Sequence, residues 1–310
     1  MITAMSPLRV GTRGSPLALI QTRMVIDALR GRREAEPAVI RTTGDSVQDR
    51  RLADIGGKGL FAKEIHDALA QGRIDAAMHS LKDLETDLPQ GIVLACVLPR
   101  EDARDALILG AAGPADPAQP FASLPHAARI GTASVRRQAQ LLHVRPDLAM
   151  STLRGNVDTR LAKLAAGECA ATLLAYAGLK RLGVADRASA ILEPDIMVPA
   201  AGQGIVGVTV REQDEALRAL LSDIADPDAM VAATAERALL AELDGSCRTP
   251  IGAHAVLLSD GALRLLAMVA RVDGSFLLRR SLQGPASDAV QLGRELAASM
   301  RADSPDDIFV

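Results

Sequence analysis

The chain has 310 residues, of which 48% are hydrophobic and 2% aromatic, and its formal net charge is −3 at pH 7. This length predicts two or three domains, since a domain commonly has about 100–200 residues. The slightly acidic balance and the scarcity of aromatic rings argue against a broad surface for nucleic acid or membrane.

Strand and helix patterns alternate over the first hundred residues. Ser15 is a residue type favoured at a helix N-cap, and Pro16 suits the first helical turn. Strands separated by helices predict a mostly parallel α/β sheet. The other elements predicted here are strands at 8–10, 38–40, 74–78 and 92–98 and a helix at 61–71.

A second α/β block follows a charged crossing at 99–105 and includes a second crossing candidate at 194–199. The strand pattern at 205–210 could return to the first sheet and make the first domain discontinuous. No internal repeat is found in the sequence. The block's predicted elements are strands at 128–130 and 170–175, a helix from Ser134 and a helix at 157–166.

The pattern changes near residue 223 and predicts a small α+β domain. The predicted boundaries are 1–102 plus 199–218 for the first domain, 103–198 for the second and 219–310 for the third. The predicted elements of the third domain are helices at 229–243 and 289–300 and strands at 262–266 and 275–279.

Arginines recur at predicted helix starts: Arg13, Arg136, Arg137, Arg154 and Arg160. Cations are disfavoured there, because the N-terminal end of a helix already presents positive charge and free N–H groups. One such arginine is typical of a solvated surface, but the recurrence over two blocks indicates anion binding. Two α/β domains that face each other across a cleft would suit a ligand with several carboxylates or phosphates.

Two short segments add polar groups. Gly56-Gly57-Lys58-Gly59 lacks the full phosphate-loop pattern and is interpreted as a lid with a basic tip at Lys58, a plain turn being the alternative. Asp83 follows a buried strand, where α/β folds place polar chemistry, although an Asp beside a Lys is usually a solvated pair. No metal-ligand cluster is predicted, since His66 and His79 are isolated.

Cys247 differs from the other two cysteines. Cys96 and Cys169 lie in apolar runs typical of packing, and three cysteines do not predict a disulfide framework. Cys247 lies among turn formers beside Arg248, a cation that favours the reactive thiolate. The N-terminus does not show the basic segment followed by an apolar segment that is typical of a signal peptide. The sequence also lacks an apolar run of the about 18–20 residues that a membrane span needs, so a cytoplasmic protein is expected.

Eight segments in order over residues 9–252 resemble the porphobilinogen deaminase (hydroxymethylbilane synthase) family. No single segment would be decisive, but their order leaves little room for coincidence. They are TRGSPLA at 12–18, GGKGLF at 56–61, HSLKD at 79–83, GTASVRRQ at 131–138, LRGNVDTR at 153–160, AGLKRL at 177–182, PAAGQG at 199–204 and DGSCRTPIG at 244–252.

The resemblance implies two α/β domains like the halves of a periplasmic binding protein, plus the small third domain. It implies a dipyrromethane cofactor, made from substrate and held by a thioether at Cys247. It also implies a cytoplasmic monomer whose partners are porphobilinogen and oligopyrrole intermediates, without nucleic acid or membrane.

The implied reaction joins four porphobilinogen units head to tail with loss of ammonia and releases hydroxymethylbilane by hydrolysis. Asp83 matches the family's catalytic aspartate, suited to stabilise positive charge and move protons. Lys58 and Phe61 are assigned to the lid. The residues implied to bind cofactor or substrate, mostly through carboxylates, are Arg13, Ser15, Lys82, Thr132, Ser134, Arg136, Arg137, Arg154, Arg160, Arg181 and Gln203.

Four positions in three segments depart from the family pattern and affect details of carboxylate binding. Leu84-Glu85 follows Asp83 where the family often has Val-Pro, and Ser151 stands where some relatives carry Arg. Asp158 could partly neutralise Arg154 and Arg160.

Two other functional classes remain open on the residues alone. A two-lobed solute-binding or sensor protein would use the same arginines, but the Cys247 and Asp83 segments do not suit it. A cofactor-free cysteine transferase would need a base near the thiol, for which His254 is a weak candidate.

Overall fold

The structure is a computed structural model that describes residues 6–43, 62–110, 113–243 and 249–309. The chain divides into two compact units. The first contains residues 1–47, 57–100 and 205–230, and the second contains 48–56, 101–204 and 231–310. Within the described ranges, no helix combines the length and the apolar character that a membrane span requires.

Strands and helices alternate through most of the described chain, as the sequence predicts. The strands are β1 (Leu8–Thr12), β2 (Ala35–Val39), β3 (Ala76–Ser80), β4 (Ile92–Val97), β5 (Asp105–Leu109), β6 (Arg129–Gly131), β7 (Ala149–Ser151), β8 (Ala171–Ala175), β9 (Ala190–Leu192), β10 (Val206–Arg211), β11 (Ile251–Leu257), β12 (Ala262–Ala270) and β13 (Leu277–Pro285). The helices are α1 (Pro16–Ala28), α2 (Lys63–Ala70), α3 (Val135–Val144), α4 (Val157–Ala165), α5 (Tyr176–Arg181), α6 (Glu215–Ser222), α7 (Pro227–Glu242) and α8 (Ala289–Ala302).

The first unit is built on a five-stranded sheet in the order β2-β1-β3-β10-β4. Strands β1, β2 and β3 are parallel, whereas β10 is antiparallel to both β3 and β4. The return of β10 to the first sheet agrees with the sequence pattern. The expectation of a mostly parallel sheet is confirmed, since β1, β2, β3 and β4 run in one direction and β10 alone runs against them.

The core of this unit is formed where α1 and α6 cover the sheet. Val10, Val25, Leu29, Val208 and Leu221 are almost fully buried in one apolar cluster. Helix α1 begins as predicted: the Ser15 hydroxyl oxygen accepts a hydrogen bond from the Ala18 N–H. This cap satisfies a backbone donor that the first turn leaves free.

The second unit contains another five-stranded sheet, in the order β7-β6-β8-β5-β9. Its parallel strands are β6, β7 and β8, and β5 is antiparallel to β8 and β9. It therefore repeats the strand arrangement of the first sheet, although the sequence shows no repeat. The prediction missed β5, β7 and β9, because β5 begins inside a charged run and the other two have only three residues.

A three-stranded antiparallel sheet, β11-β12-β13, completes the second unit. Residues of α7 and α8 pack on it: Leu239, Leu265 and Ala297 are fully buried in one cluster. A small α+β substructure at this end of the chain agrees with the prediction, although β11 was missed. The fold is thus mixed α/β with a small C-terminal sheet and helices.

Candidate active site

In the first unit, the candidate residues lie at the carboxyl ends of neighbouring parallel strands. Arg13 directly follows β1, and Lys82 and Asp83 follow β3 in a single 3₁₀ turn, Leu81–Asp83. Strands β1 and β3 pair in parallel, so both segments leave the sheet at the same edge. That edge is where open α/β sheets place ligands.

The turn that carries Asp83 is fixed by its apolar neighbours. Leu81 and Leu84 are buried, and the Leu81 N–H donates to the Ile205 carbonyl at 3.0 Å. The Leu84 N–H closes the turn on the Leu81 carbonyl. Asp83 itself is exposed and Lys82 is half-buried. The protein therefore holds the Asp83 backbone firmly and presents its carboxylate outward.

In the second unit, Thr132 and Ser134 connect β6 to α3. The Ser134 N–H donates to Thr132 Oγ1 at 3.1 Å, and Ser134 Oγ accepts from the Arg137 N–H as the N-cap of α3. Both hydroxyl oxygens therefore organise the loop. This places Arg136 and Arg137 in the first turn of the helix, as the sequence predicts.

Arg136 and Arg137 both turn to a buried carboxylate, that of Asp105. The Arg136 Nη2 donates to Asp105 Oδ2 and the Arg137 Nη2 to Asp105 Oδ1, each at 2.8 Å. Gln203 Nε2 donates to the same Oδ1 at 2.9 Å. Burial alone would raise the pKa of Asp105, but the two guanidinium groups hold it well below the usual range of an aspartate.

Arg154 and Arg160 lie on either side of the start of α4. Asn156 caps that helix by accepting from the Thr159 N–H, and Gly155 has a φ of +116° that suits glycine. The Arg160 Nε donates to the Gly155 carbonyl at 2.8 Å. Arg154 is only 8% exposed, and its buried Nη1 has no hydrogen-bond partner.

Arg181 ends helix α5 and binds the backbone just before β10. Its Nη2 donates to the Gly204 carbonyl at 2.7 Å, while its buried Nε has no hydrogen-bond partner. Burial lowers the pKa of Arg181, and the negative charge of Glu101 partly opposes that effect. The neighbouring Lys180 pairs with Glu101 instead.

Among the residues of the second unit that the structure describes, three arginines have an unsatisfied buried nitrogen: Arg137 Nε, Arg154 Nη1 and Arg181 Nε. A buried cationic donor without a partner is costly, so such a group is expected to meet an anion. Carboxylates are suitable acceptors, because charge-assisted bonds to guanidinium are the strong ones. A metal is a poorer candidate: the described ranges contain no group of three or more His, Cys, Asp or Glu residues placed to hold one.

Three predicted residues, Lys58, Phe61 and Cys247, lie outside the described residues. The other two cysteines have the structural character that the sequence indicates. Cys96 is fully buried, and burial raises the pKa of its thiol to about 12. Cys169 is 5% exposed, and burial also raises its thiol pKa. Both thiols are therefore poor nucleophiles.

The sequence interpretation missed Asp105. The residue stands among four other charged side chains at 99–105, a run that is typical of a solvated crossing. Its partners are 31, 32 and 98 residues away along the chain, so no local spacing pointed to them. The only local signal was the apolar run at 106–109, which indicates that a buried strand starts here.

Comparison with known proteins gives two family matches. Residues 8–219 match "Porphobilinogen deaminase, dipyromethane cofactor binding domain", and residues 230–302 match "Porphobilinogen deaminase, C-terminal domain". The chain is 46% identical to porphobilinogen deaminase of Nitrobacter winogradskyi over 97% of this chain and 94% of that protein. It is also 46% identical to porphobilinogen deaminase of Paracoccus denitrificans, over 98% of this chain and 96% of that protein. The chloroplastic enzyme of Oryza sativa subsp. japonica is 44% identical over 98% and 86%.

Solved structures give weaker matches. An arginine-specific periplasmic binding protein of Salmonella typhimurium has a TM-score of 0.38 and 16% identity, covering 73% of this chain and 96% of that one. A probable amino-acid transporter extracellular-binding protein of Bacillus subtilis has a TM-score of 0.42 and 10% identity, covering 71% and 90%.

Proposed function

The chain belongs to the porphobilinogen deaminase family, and from this membership we propose how its own residues carry out the reaction. It is a hydroxymethylbilane synthase of tetrapyrrole biosynthesis, a transferase that uses a dipyrromethane cofactor. It condenses four porphobilinogen molecules head to tail with loss of ammonia, and hydrolysis then releases the linear product. The observation that carries this conclusion is the pair of family matches, at 8–219 and 230–302.

The buried arginines fit the cofactor. The cofactor carries acetate and propionate carboxylates, and Arg137, Arg154 and Arg181 each have a buried nitrogen that lacks an acceptor. These three arginines would hold the carboxylates through charge-assisted hydrogen bonds. Arg136, Arg160, Thr132, Ser134 and Gln203 would complete this site, Arg136 and Gln203 from buried positions. When bound, the cofactor supplies the pyrrole carbon to which the first substrate is joined.

We assign attachment of the cofactor to the Cys247 thiolate. Attachment needs a nucleophilic sulfur, and the buried thiols of Cys96 and Cys169 do not suit that role. Arg248 beside Cys247 would favour the thiolate form. The assignment rests on the residue types and the family motif at 244–252.

Asp83 is assigned to the chemistry at the substrate pyrrole. Loss of ammonia from the aminomethyl group leaves positive charge on the ring nitrogen, and a carboxylate that accepts from its N–H stabilises that charge. The α-carbon of the terminal pyrrole forms the new carbon–carbon bond and then loses its proton, which the same carboxylate can accept. The exposed side chain and firmly held turn of Asp83 suit both tasks.

The first unit would also bind carboxylate groups of the substrate or chain. Arg13 and Lys82 supply cations at the edge of the sheet that presents Asp83, and Ser15 adds a hydroxyl donor. Lys58 and Phe61 are assigned to a lid over the substrate. Each pyrrole carries two carboxylates, so several cations are needed as the chain grows.

We propose three domains, at 1–102 plus 199–218, at 103–198 and at 219–310. In support, each of the three sheets falls wholly within one of these ranges. We further propose a cytoplasmic monomer whose partners are porphobilinogen and oligopyrrole intermediates, without nucleic acid or membrane. The net charge of −3 and the 2% aromatic content support that proposal. A non-catalytic solute-binding protein is not favoured, since the relatives carry an enzyme's name over almost their full length.

The direct test is turnover of porphobilinogen by the purified protein. We expect ammonia and hydroxymethylbilane to appear in a ratio of about four to one, because each of four substrates loses one amine. Ammonia without a tetrapyrrole product, or no consumption of substrate, would contradict the proposal. A protein that binds porphobilinogen without releasing ammonia would support the solute-binding alternative.

A further inference from the structure

In the second unit, one carboxylate forms ion pairs with two consecutive arginines. Asp105 has no exposed surface, and Arg136 and Arg137 are each 5% exposed. Each guanidinium donates to a different oxygen of Asp105, at 2.8 Å in both cases. Gln203, itself fully buried, donates to Oδ1 as well, at 2.9 Å. Both carboxylate oxygens are therefore engaged, and the carboxylate is fixed from three sides.

Backbone carbonyls fix the other ends of the two guanidinium groups. The Arg136 Nη1 donates to the Val198 carbonyl, and the Arg137 Nη1 donates to the Leu173 carbonyl at 2.8 Å. With both Nη atoms of Arg137 in use, its buried Nε is the donor that has no partner. The contact with Asp105 thus decides which edge of the Arg137 guanidinium is left for a ligand.

The charges of this cluster do not balance. Two guanidinium groups meet one carboxylate, and Gln203 is neutral, so one positive charge is left over in a buried place. Burial lowers the pKa of Arg136, and Arg137 adds to this effect by repulsion, while Asp105 opposes both. A surplus buried cation is disfavoured unless an anion offsets it. The surplus charge and the free Nε both indicate that an anion binds at Arg137.

We propose that Asp105 is a positioning residue for the reaction: it holds Arg136 and Arg137 so that Arg137 Nε can bind a pyrrole carboxylate. The inference rests on the proposed function, since it takes the ligand to be a carboxylate of the cofactor, chain or substrate. Asp105 itself does not touch that ligand, because both of its oxygens face protein donors. It acts through the orientation of the two arginines.

Asp105→Asn tests this role. The amide keeps the shape of the side chain but replaces one acceptor oxygen with an NH2 donor. Because that donor faces the N–H donor of a guanidinium, one arginine loses its hydrogen bond to residue 105 and is no longer held in place. We expect the KM for porphobilinogen to rise about tenfold while kcat changes less than about threefold, because ground-state positioning is lost and Asp83 is untouched. We also expect a smaller fraction of chains to carry the cofactor, measured as intact mass under denaturing conditions.

Asp102→Asn is the matched control. Asp102 lies on the same crossing segment and also binds an arginine, Arg104, at 2.7 Å, but its side chain is 19% exposed and belongs to no predicted site. Its variant should keep the wild-type KM and cofactor content. An equal change in both variants would mean that any lost ion pair here disturbs the site, and would overturn the specific role of Asp105.

Asp105→Glu covers the case in which Asp105→Asn does not fold. It keeps the charge and lengthens the side chain by one carbon, so it should fold with a KM raised by about threefold or more. A folded variant with the wild-type KM and cofactor content would overturn the proposal, as would failure of both variants to fold, which would make Asp105 a folding residue. Failure of the proposed function is a different result, since the wild type itself would then lack turnover.

Discussion

Asp83→Asn is expected to fold normally and to lose turnover by at least about a hundredfold. The amide has almost the same shape but carries no negative charge, so the pyrrole nitrogen loses its counter-charge and the released proton loses its base. Asp83 is exposed, and the neighbouring Leu81 and Leu84 hold its turn. The unfolding free energy should therefore change by less than about 0.5 kcal/mol.

The comparison should be made with Asp87→Asn. Asp87 is an exposed aspartate four residues further on, and we assign it no role. Steady-state rates with porphobilinogen and thermal unfolding midpoints of both variants are the measurements. A rate for Asp83→Asn within a few-fold of wild type would contradict the role of this carboxylate, whatever its stability.

Arg154→Leu is expected to lower turnover without lowering the free energy of unfolding. The Arg154 guanidinium is buried with its Nη1 unpartnered, so without a bound carboxylate its burial costs free energy that leucine would not cost. With a carboxylate bound, its removal leaves a buried anion without a donor, at a cost of about 3 kcal/mol, roughly a hundredfold in kcat/KM. We therefore expect much lower turnover with no loss of stability.

The stability measurement belongs in a Cys247→Ser background, where the proposed attachment thiol is absent. There the thermal midpoint of Arg154→Leu should equal or exceed that of its parent. Arg129→Leu, at an exposed arginine of β6, is the control and should keep wild-type turnover. A clear loss of stability in Arg154→Leu would show that the guanidinium has a structural partner, and would weaken its assignment to a ligand.

Local chemistry in the sequence predicted the elements that carry the site. Ser15 was predicted as an N-cap from its residue type and a helix was predicted from Ser134, and in the structure both serines cap helices. The strands that precede Asp83 and Arg136 were predicted at 74–78 and 128–130. Because the arginines stand at or near helix starts, an anion-binding role could be predicted from chain order alone.

Long-range pairing could not be predicted in the same way. The antiparallel direction of β5 and β10 depends on where the chain crosses between the sheets, which no local pattern shows. The sequence likewise placed Arg136 and Arg137 at a helix start but could not show that both face Asp105. Which guanidinium atoms remain for a ligand follows from that contact, so the division of roles within the arginine cluster needed the structure.

Intact mass under denaturing conditions shows whether this chain carries a dipyrromethane on Cys247. We expect the wild-type mass to exceed the sequence mass by one dipyrromethane, either as purified or after incubation with porphobilinogen. Cys247→Ser should show no excess under either condition. A wild-type mass that still equals the sequence mass after incubation would mean that no dipyrromethane is bound, and an equal excess in Cys247→Ser would mean that it is not attached to Cys247.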